Sequence, residues 1–299
     1  MMRHRLFNSL PSRIQAHISS IFPPFVSKFS VSLPNGKEII FSDIEKSQIF
    51  KSLYWRGIQG YEKNTVKLFY VLSETSDCIF DIGAYFGLFS LIAEKANPDA
   101  KVIAFEPVPE SFALLSKLIS VNGASIKTEN VALSNETGVT KFYMPDRSHS
   151  KIPNIGSLKN RFVPGEVFSD RGCFEIDVTC CTLDDFCNQR KISGIDLIKI
   201  DVEGLEAEII QNGMEIIGKS KPDFVGEVSE YDGTDWCEAL INIGYRLFDI
   251  SDNGLHVISD IHQMENIDRT KSRGAFGEAF CSCKSDEEIE KINRYFSSL

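Results

Sequence analysis

The chain has 299 residues, 42% hydrophobic and 25% charged, with a formal net charge of −10. That length and apolar content suit one large domain, or a domain with an N-terminal extension. No run of about 18 apolar residues indicates a membrane span, and the negative charge argues against a nucleic-acid backbone as the main partner.

The charge is uneven. Residues 1–37 hold Arg3, Arg5, Arg13, Lys28 and Lys37 and no acid. A transit-like peptide, an amphipathic surface helix with Ile14, Ile18, Ile21 and Phe22 on one face, and a helix docked on the domain all fit. The docked helix is the expectation, and peripheral membrane contact through residues 1–37 is the lesser alternative. Next, Phe29-Ser-Val31-Ser-Leu33, the turn Pro34-Asn35-Gly36 and Ile39-Ile40-Phe41 predict a hairpin over 28–44. Residues 45–73 predict helix. An extension over 1–75 therefore precedes a domain over 76–299.

From Cys78 onward, apolar runs alternate with helical patterns. Strands are predicted at 78–82, 101–105, 126–132, 195–201, 222–228, 245–250 and 276–283. Helices are predicted at 86–96, 109–121, 204–212, 235–243 and 286–297. Strand then helix, repeated, means an α/β fold with a largely parallel sheet. An insert over 139–181 breaks the alternation. Val139–Met144 and Glu175–Cys181 predict extra strands around a loop rich in Ser, Pro, Asn and Gly, either a mobile excursion or a substrate lid. The eight cysteines include no CxxC pair, which suits reduced core thiols in a cytoplasmic protein rather than a zinc site.

Chemistry concentrates in CIFDIGAYFGLFSLIAEKANPDAKVIAFEP, residues 78–107. A strand, a turn with Gly83 and Gly87, a helix and a second strand ending on Glu106 form the first half of a Rossmann-type nucleotide site. Glycine allows positive φ and close approach of a ligand, and a carboxylate at Glu106 can accept both hydroxyls of a ribose. The turn lacks the third glycine of a dinucleotide site and is preceded by Asp81, which repels phosphate. A cationic adenosyl cofactor, S-adenosylmethionine (SAM), satisfies both features. A purely structural turn between strand and helix is the alternative.

The second half is IDLIKIDVEGLE, residues 195–206. Lys199 and Asp201 interrupt a buried strand and project to one face. An unpaired charge there costs several kcal/mol in order of magnitude, so the two pair with each other, meet a ligand or open into a cleft. The next strand ends on Glu227, as a site acid or as an exposed loop carboxylate.

Taken together, DIGAYFG, AFEPVPESFALL, VALSNETG, CTLDDF and IKIDVEGLEAEII resemble the FkbM family of SAM-dependent methyltransferases over about residues 55–230, with Gln59-Gly60-Tyr61-Glu62 as a matching lead-in. The resemblance implies a class I methyltransferase fold, with seven strands, helices on both faces and a reversed last strand. It implies methyl transfer to hydroxyl oxygens of sugars, polyketides or related metabolites. It also implies that Asp81, Gly83, Ala84, Tyr85 and Gly87 line SAM, with Tyr61 and Glu62 on the same cofactor. Glu106 would hold the ribose, Pro107 and Val108 would flank the adenine, and Asn130 and Ala132 would face the base. Tyr85 stands where the family pattern has Asn.

Oxygen methylation is helped by a general base. Asp201 is the first candidate, with Lys199 orienting it, or acting as base if burial lowers its pKa. Glu203 and Glu227 would bind acceptor hydroxyls. His149, in the long loop, is a weaker candidate, because a solvated loop histidine explains it as well. A magnesium ion on Asp201 and Glu227 ranks below the metal-free route, since two ligands fall short of about six. The rivals are an NAD(P)-binding oxidoreductase and a binding module that keeps the fold without chemistry.

Overall fold

The computed structural model describes residues 7, 9–11, 13–15, 18, 27–42, 48–145, 173–202, 204–229, 234–261 and 275–299. The hairpin forms as predicted: β1 (Lys28–Ser32) pairs antiparallel with β2 (Glu38–Ser42), Val31 opposite Ile39. Alternation drives it, since Phe29, Val31, Ile39 and Phe41 are all buried. Asn122 docks the hairpin, donating from Nδ2 to the Ile40 carbonyl (2.8 Å) and accepting from the Ile40 amide (2.7 Å). The long helix predicted over 45–73 is two helices, α1 (Gln48–Arg56) and α2 (Lys63–Ser73), separated by a 3₁₀ turn at Gly57–Gly60. Gly57 has φ +72°, which ends α1, and the break places Tyr61 and Glu62 at the head of α2.

The remaining elements are β3 (Cys78–Ile82), α3 (Leu88–Ala96), β4 (Lys101–Phe105), α4 (Pro109–Val121), β5 (Ile126–Glu129), β6 (Ala132–Leu133), β7 (Gly138–Pro145), β8 (Cys173–Cys181), α5 (Leu183–Arg190), β9 (Leu197–Ile200), α6 (Glu206–Gln211), α7 (Met214–Ser220), β10 (Asp223–Ser229), α8 (Asp235–Ile241), β11 (Arg246–Ser251), β12 (Gly254–Ile258), β13 (Ala275–Ser282) and α9 (Asp286–Ser298). The main sheet runs β12-β11-β13-β10-β9-β3-β4-β5, with β10, β9, β3, β4 and β5 parallel and β13 antiparallel to both of its neighbours. This is the expected doubly wound α/β sheet with its reversed last strand. It has eight strands rather than seven, because β11 turns back through Asp252 and Asn253 into β12 at the edge.

The central strands are apolar because helices cover both faces. Ile79, Phe80, Ile82, Ile198 and Ile200 are all 0–1% exposed. Two cores result: one joins the hairpin and α1 to α3 and α4, the other packs α5 to α8 on the opposite face. Local signals set the helix starts. Pro109 opens α4 at its first turn. Ser285 and Glu288 form a capping box on α9. The Thr182 hydroxyl accepts the Asp185 amide at the head of α5, a helix that periodicity did not predict.

The two extra strands in the insert are present. With β6 they make a small sheet, β6-β8-β7, whose inner face packs Phe142, Met144 and Val178 on Val108 and Ala132. The loop between them, including His149, lies outside the described residues, as do Glu203 and most of the basic N-terminal segment.

Candidate functional site

Five parallel strands end along one edge of the sheet, and ligands of open α/β sheets bind there. A cavity of about 330 Å³ opens over these ends. Gly83, Tyr85, Glu106, Pro107, Val108 and Ala132 line one half, and Tyr61, Asp201 and Glu227 line the other.

The first half is built by backbone. The amides of Gly83 and Ala84 both donate to the Phe105 carbonyl (3.1 and 2.9 Å), carrying the chain from β3 across the end of β4. Gly83 has φ +84°, and a Cβ there would lie 2.9 Å from the Asp201 carbonyl carbon and closer still to its oxygen. No other residue fits this turn. Tyr85 is left-handed too, at φ +50°, and this turns its amide onto Glu106 Oε2 (2.9 Å) while the Val108 amide reaches Oε1 (2.9 Å). Both Glu106 oxygens are thus held by backbone amides at the cavity wall. Burial pushes the Glu106 carboxyl up to about 8, against the pull of the two amides.

Several residues expected on the cofactor do not line the cavity. Asp81 is buried within β3, where its Oδ2 accepts the Ser90 amide (2.9 Å) and hydroxyl at the start of α3. Its charge therefore meets a helix N-terminus rather than open space. Ala84 is buried and joins the apolar core. Gly87 makes room for Leu115 of α4. Asn130 braces the loop, donating to the carbonyls of Glu106 (2.8 Å) and Pro107 (3.0 Å). Ile49, Ser111, Val131, Leu133, Phe142 and Met144 also line the wall, and none of these six was singled out from sequence.

The second half is electrostatic. Lys199, 1% exposed, stands in register between Asp81 on β3 and Val225 on β10, with Nζ 3.5 Å from Asp201 Oδ2 and 4.8 Å from the centre of the Phe89 ring. Burial pulls its ammonium down, but Asp201, Glu62, Asp81 and Glu227 outweigh burial and hold it above the usual lysine range. That direction favours the charged form and lends no support to Lys199 as a base. Asp201 follows β9, its side chain one-third exposed to the cavity. Burial raises Glu227 to about 7, and Asp201 and Glu62 add to the effect. Burial raises Glu62 likewise to about 7, against the pull of Lys199. Tyr61 is raised by burial and by Glu62 and Asp201, so its phenol keeps its proton. Glu278 on β13, directly opposite Glu227 on β10, was not foreseen. Among the described residues, no group of three or more His, Cys, Asp or Glu could hold a metal ion.

Sheet order, glycine turn, strand-end acid and cavity together define a class I methyltransferase fold. The profile of the Methyltransferase FkbM domain matches residues 81–247, and the chain belongs to that family. Methyltransferase sdnD of Sordaria araneosa is 31% identical over 157 residues, 44% of this chain and 59% of its own length. The 31-O-demethyl-FK506 methyltransferase FkbM of Streptomyces tacrolimicus is 26% identical over 224 residues, 68% of this chain and 83% of its own length. A crystal structure of methyltransferase FkbM from Methylobacillus flagellatus KT superposes with a TM-score of 0.42 at 14% identity, over 69% of this chain and 43% of that one.

Proposed function

We propose that the protein is a SAM-dependent O-methyltransferase acting on a hydroxyl of a small molecule or glycan. The observation that carries this reading is one cavity with Glu106 at one end and Asp201 and Glu227 at the other. The residues suit the cofactor: the Glu106 oxygens are pre-aimed by two amides, and glycine clears the turn beside it. SAM, when bound, supplies an electrophilic methyl on a sulfonium.

The chain's own residues do the rest. Glu106 accepts the ribose hydroxyls, Pro107 and Val108 flank the base, and Ala132, Phe142 and Met144 exclude water. Asp201 would take the proton of the acceptor hydroxyl, whose oxygen is the atom to be methylated. Lys199, 3.5 Å from Asp201 Oδ2, orients it, and Glu227 binds a neighbouring hydroxyl. The name of the Streptomyces relative, which specifies an oxygen position, supports an oxygen acceptor. Seven described cysteines are free thiols, which supports a reducing, cytoplasmic setting. No helix of the described residues is long and apolar enough to cross a membrane.

The test is transfer of labelled methyl from SAM to a panel of sugars and hydroxylated polyketides, with Asp201→Asn as control. Label in acceptors that disappears in the control supports the reading, and equal label in both removes Asp201 as base.

A further inference from the structure

Resting on the reading of this cavity as a SAM site, we infer that Ser111 is a cofactor-binding residue whose hydroxyl hydrogen-bonds to the polar edge of the adenine base.

Ser111 is out of place as a structural serine. It lies in the first turn of α4, three residues beyond the N-cap Val108, and is 1% exposed. The other buried serines of the described residues all have partners. Ser73 donates to the Phe69 carbonyl, Ser76 to the Leu72 carbonyl, Ser90 to Asp81, Ser134 to Asn135 and Ser282 to Asp223. The Ser111 hydroxyl has no partner among the described residues, and Ser111 lines the cavity. A hydroxyl withdrawn from water and left unpaired costs free energy. The cavity is where a partner can come from.

The neighbours say what that partner is. Glu106, at the ribose position, is held by the amides of Tyr85 and Val108. Beyond it, Val108, Ala132, Phe142 and Met144 belong to one apolar cluster and all line the cavity. Phe142 and Met144 are two residues apart on β7 and share one face of it. Apolar walls suit the faces of a purine but offer nothing to its edge. Asn130, the amide expected at the base, is turned to the carbonyls of Glu106 and Pro107. The other polar side chains on the cavity wall are Tyr85 and Glu106 in the same half and Tyr61, Asp201 and Glu227 in the other. Ser111 is the one left for the base. A hydroxyl both donates and accepts, so it can pair with the exocyclic amine or with a ring nitrogen. A site with a buried polar group favours the ligand that pairs with it over one that does not.

The experiment is calorimetry of the full chain with S-adenosylhomocysteine (SAH) and four counterparts, each altered at one edge atom of the base: 1-deaza, 3-deaza, 7-deaza and 6-deamino. S111A should bind SAH about 3–10-fold more weakly than wild type does. One counterpart should lose a similar factor on wild type, yet bind S111A as tightly as SAH binds it. Ligand-free S111A should melt at or above wild type, since its lost hydroxyl had no bond to give up. Unchanged SAH affinity in S111A overturns the proposal. So does a loss that is the same for SAH and all four counterparts, which would put the hydroxyl off the base. Ligand-free S111A that melts several degrees lower, or does not fold, also overturns it, because the hydroxyl would then serve the fold. If wild type binds adenosine but not SAH, the methyltransferase reading falls, and the same series of altered adenosines tests Ser111. Binding of neither overturns both readings.

Discussion

Gly83→Ala separates a glycine that the cavity requires from one that a turn merely tolerates. Two penalties act at this position. With φ at +84°, an L-residue pays the left-handed penalty of about 1–2 kcal/mol. The new Cβ would also lie 2.9 Å from the carbonyl carbon of Asp201, where ordinary contact begins at 3.4 Å. The Cβ is fixed rigidly to the backbone and the carbonyl is backbone, so β3 and the end of β9 must part by at least half an ångström, and the Asp201 amide bond to the Ile82 carbonyl, 3.0 Å, stretches with them. Strain of this kind in a packed core adds roughly 1–3 kcal/mol. Gly36 supplies the control: φ +80°, with nothing within 4 Å of its Cβ position. Gly36→Ala should therefore cost only the first penalty. Thermal melts should show Gly36→Ala lowered by a few degrees and Gly83→Ala by roughly twice as much. Only Gly83→Ala should weaken SAH binding, by about tenfold or more, because the turn and Asp201 move together. Equal melting losses in the two variants, with SAH affinity intact in both, would refute the close approach of this turn to β9.

Asp201→Asn should lower methyl transfer by about 10²–10⁴-fold, while SAH affinity measured by calorimetry stays close to wild type. Lys199→Met removes the one cation among buried carboxylates and should destabilise the fold by about 3–5 kcal/mol. The melting loss should be greater at pH 8 than at pH 5.5, because the neighbouring acids relieve the imbalance by protonation at the lower pH. SAH affinity should rise between pH 6 and pH 8 and then level off. Glu106, held at about 8 by burial, must lose its proton before it can accept both ribose hydroxyls. Glu106→Gln should flatten that profile and bind SAH more weakly at pH 8. The same raised carboxyl works in the opposite sense on stability. With its folded pKa above its unfolded value, the contribution of Glu106 is full below about 4.5 and lost as pH rises through about 8. Ligand-free wild-type protein should therefore lose stability over that window relative to Glu106→Gln, as followed by chemical denaturation at fixed temperature.

The nucleotide half of the site was legible because its signals are local. The apolar run of β3, two glycines and an acid at the end of β4 lie within thirty consecutive residues, and strand-end geometry follows from the α/β alternation. The roles of individual residues were less legible. Asp81, Ala84, Gly87 and Asn130 lie beside true cavity residues, but Asp81 turns to Ser90, Ala84 joins the apolar core, Gly87 leaves room for Leu115 and Asn130 donates to backbone carbonyls. Pleat and loop direction decide this, and a motif does not encode them. Phe142 and Met144 were placed in an extra strand, yet which face of β7 closes the cavity depends on how the small sheet packs on Val108. Glu278 comes opposite Glu227 only through the pairing of the reversed strand β13 with β10. α5 and α7 were not predicted, although α6 and α8, which are no longer than α5, were. The Thr182–Asp185 cap was the available signal for α5. β12 escaped because an edge strand of five residues carries only a weak alternating pattern.

The most direct measurement is calorimetric titration of the purified chain with SAM, SAH, NAD⁺ and NADP⁺. The cavity, with Glu106 aimed by two amides and a turn that lacks the dinucleotide glycines, predicts micromolar binding of SAM and SAH and none of the nicotinamide cofactors. Binding of NAD⁺ or NADP⁺ in place of SAM, or silence toward all four, would contradict it.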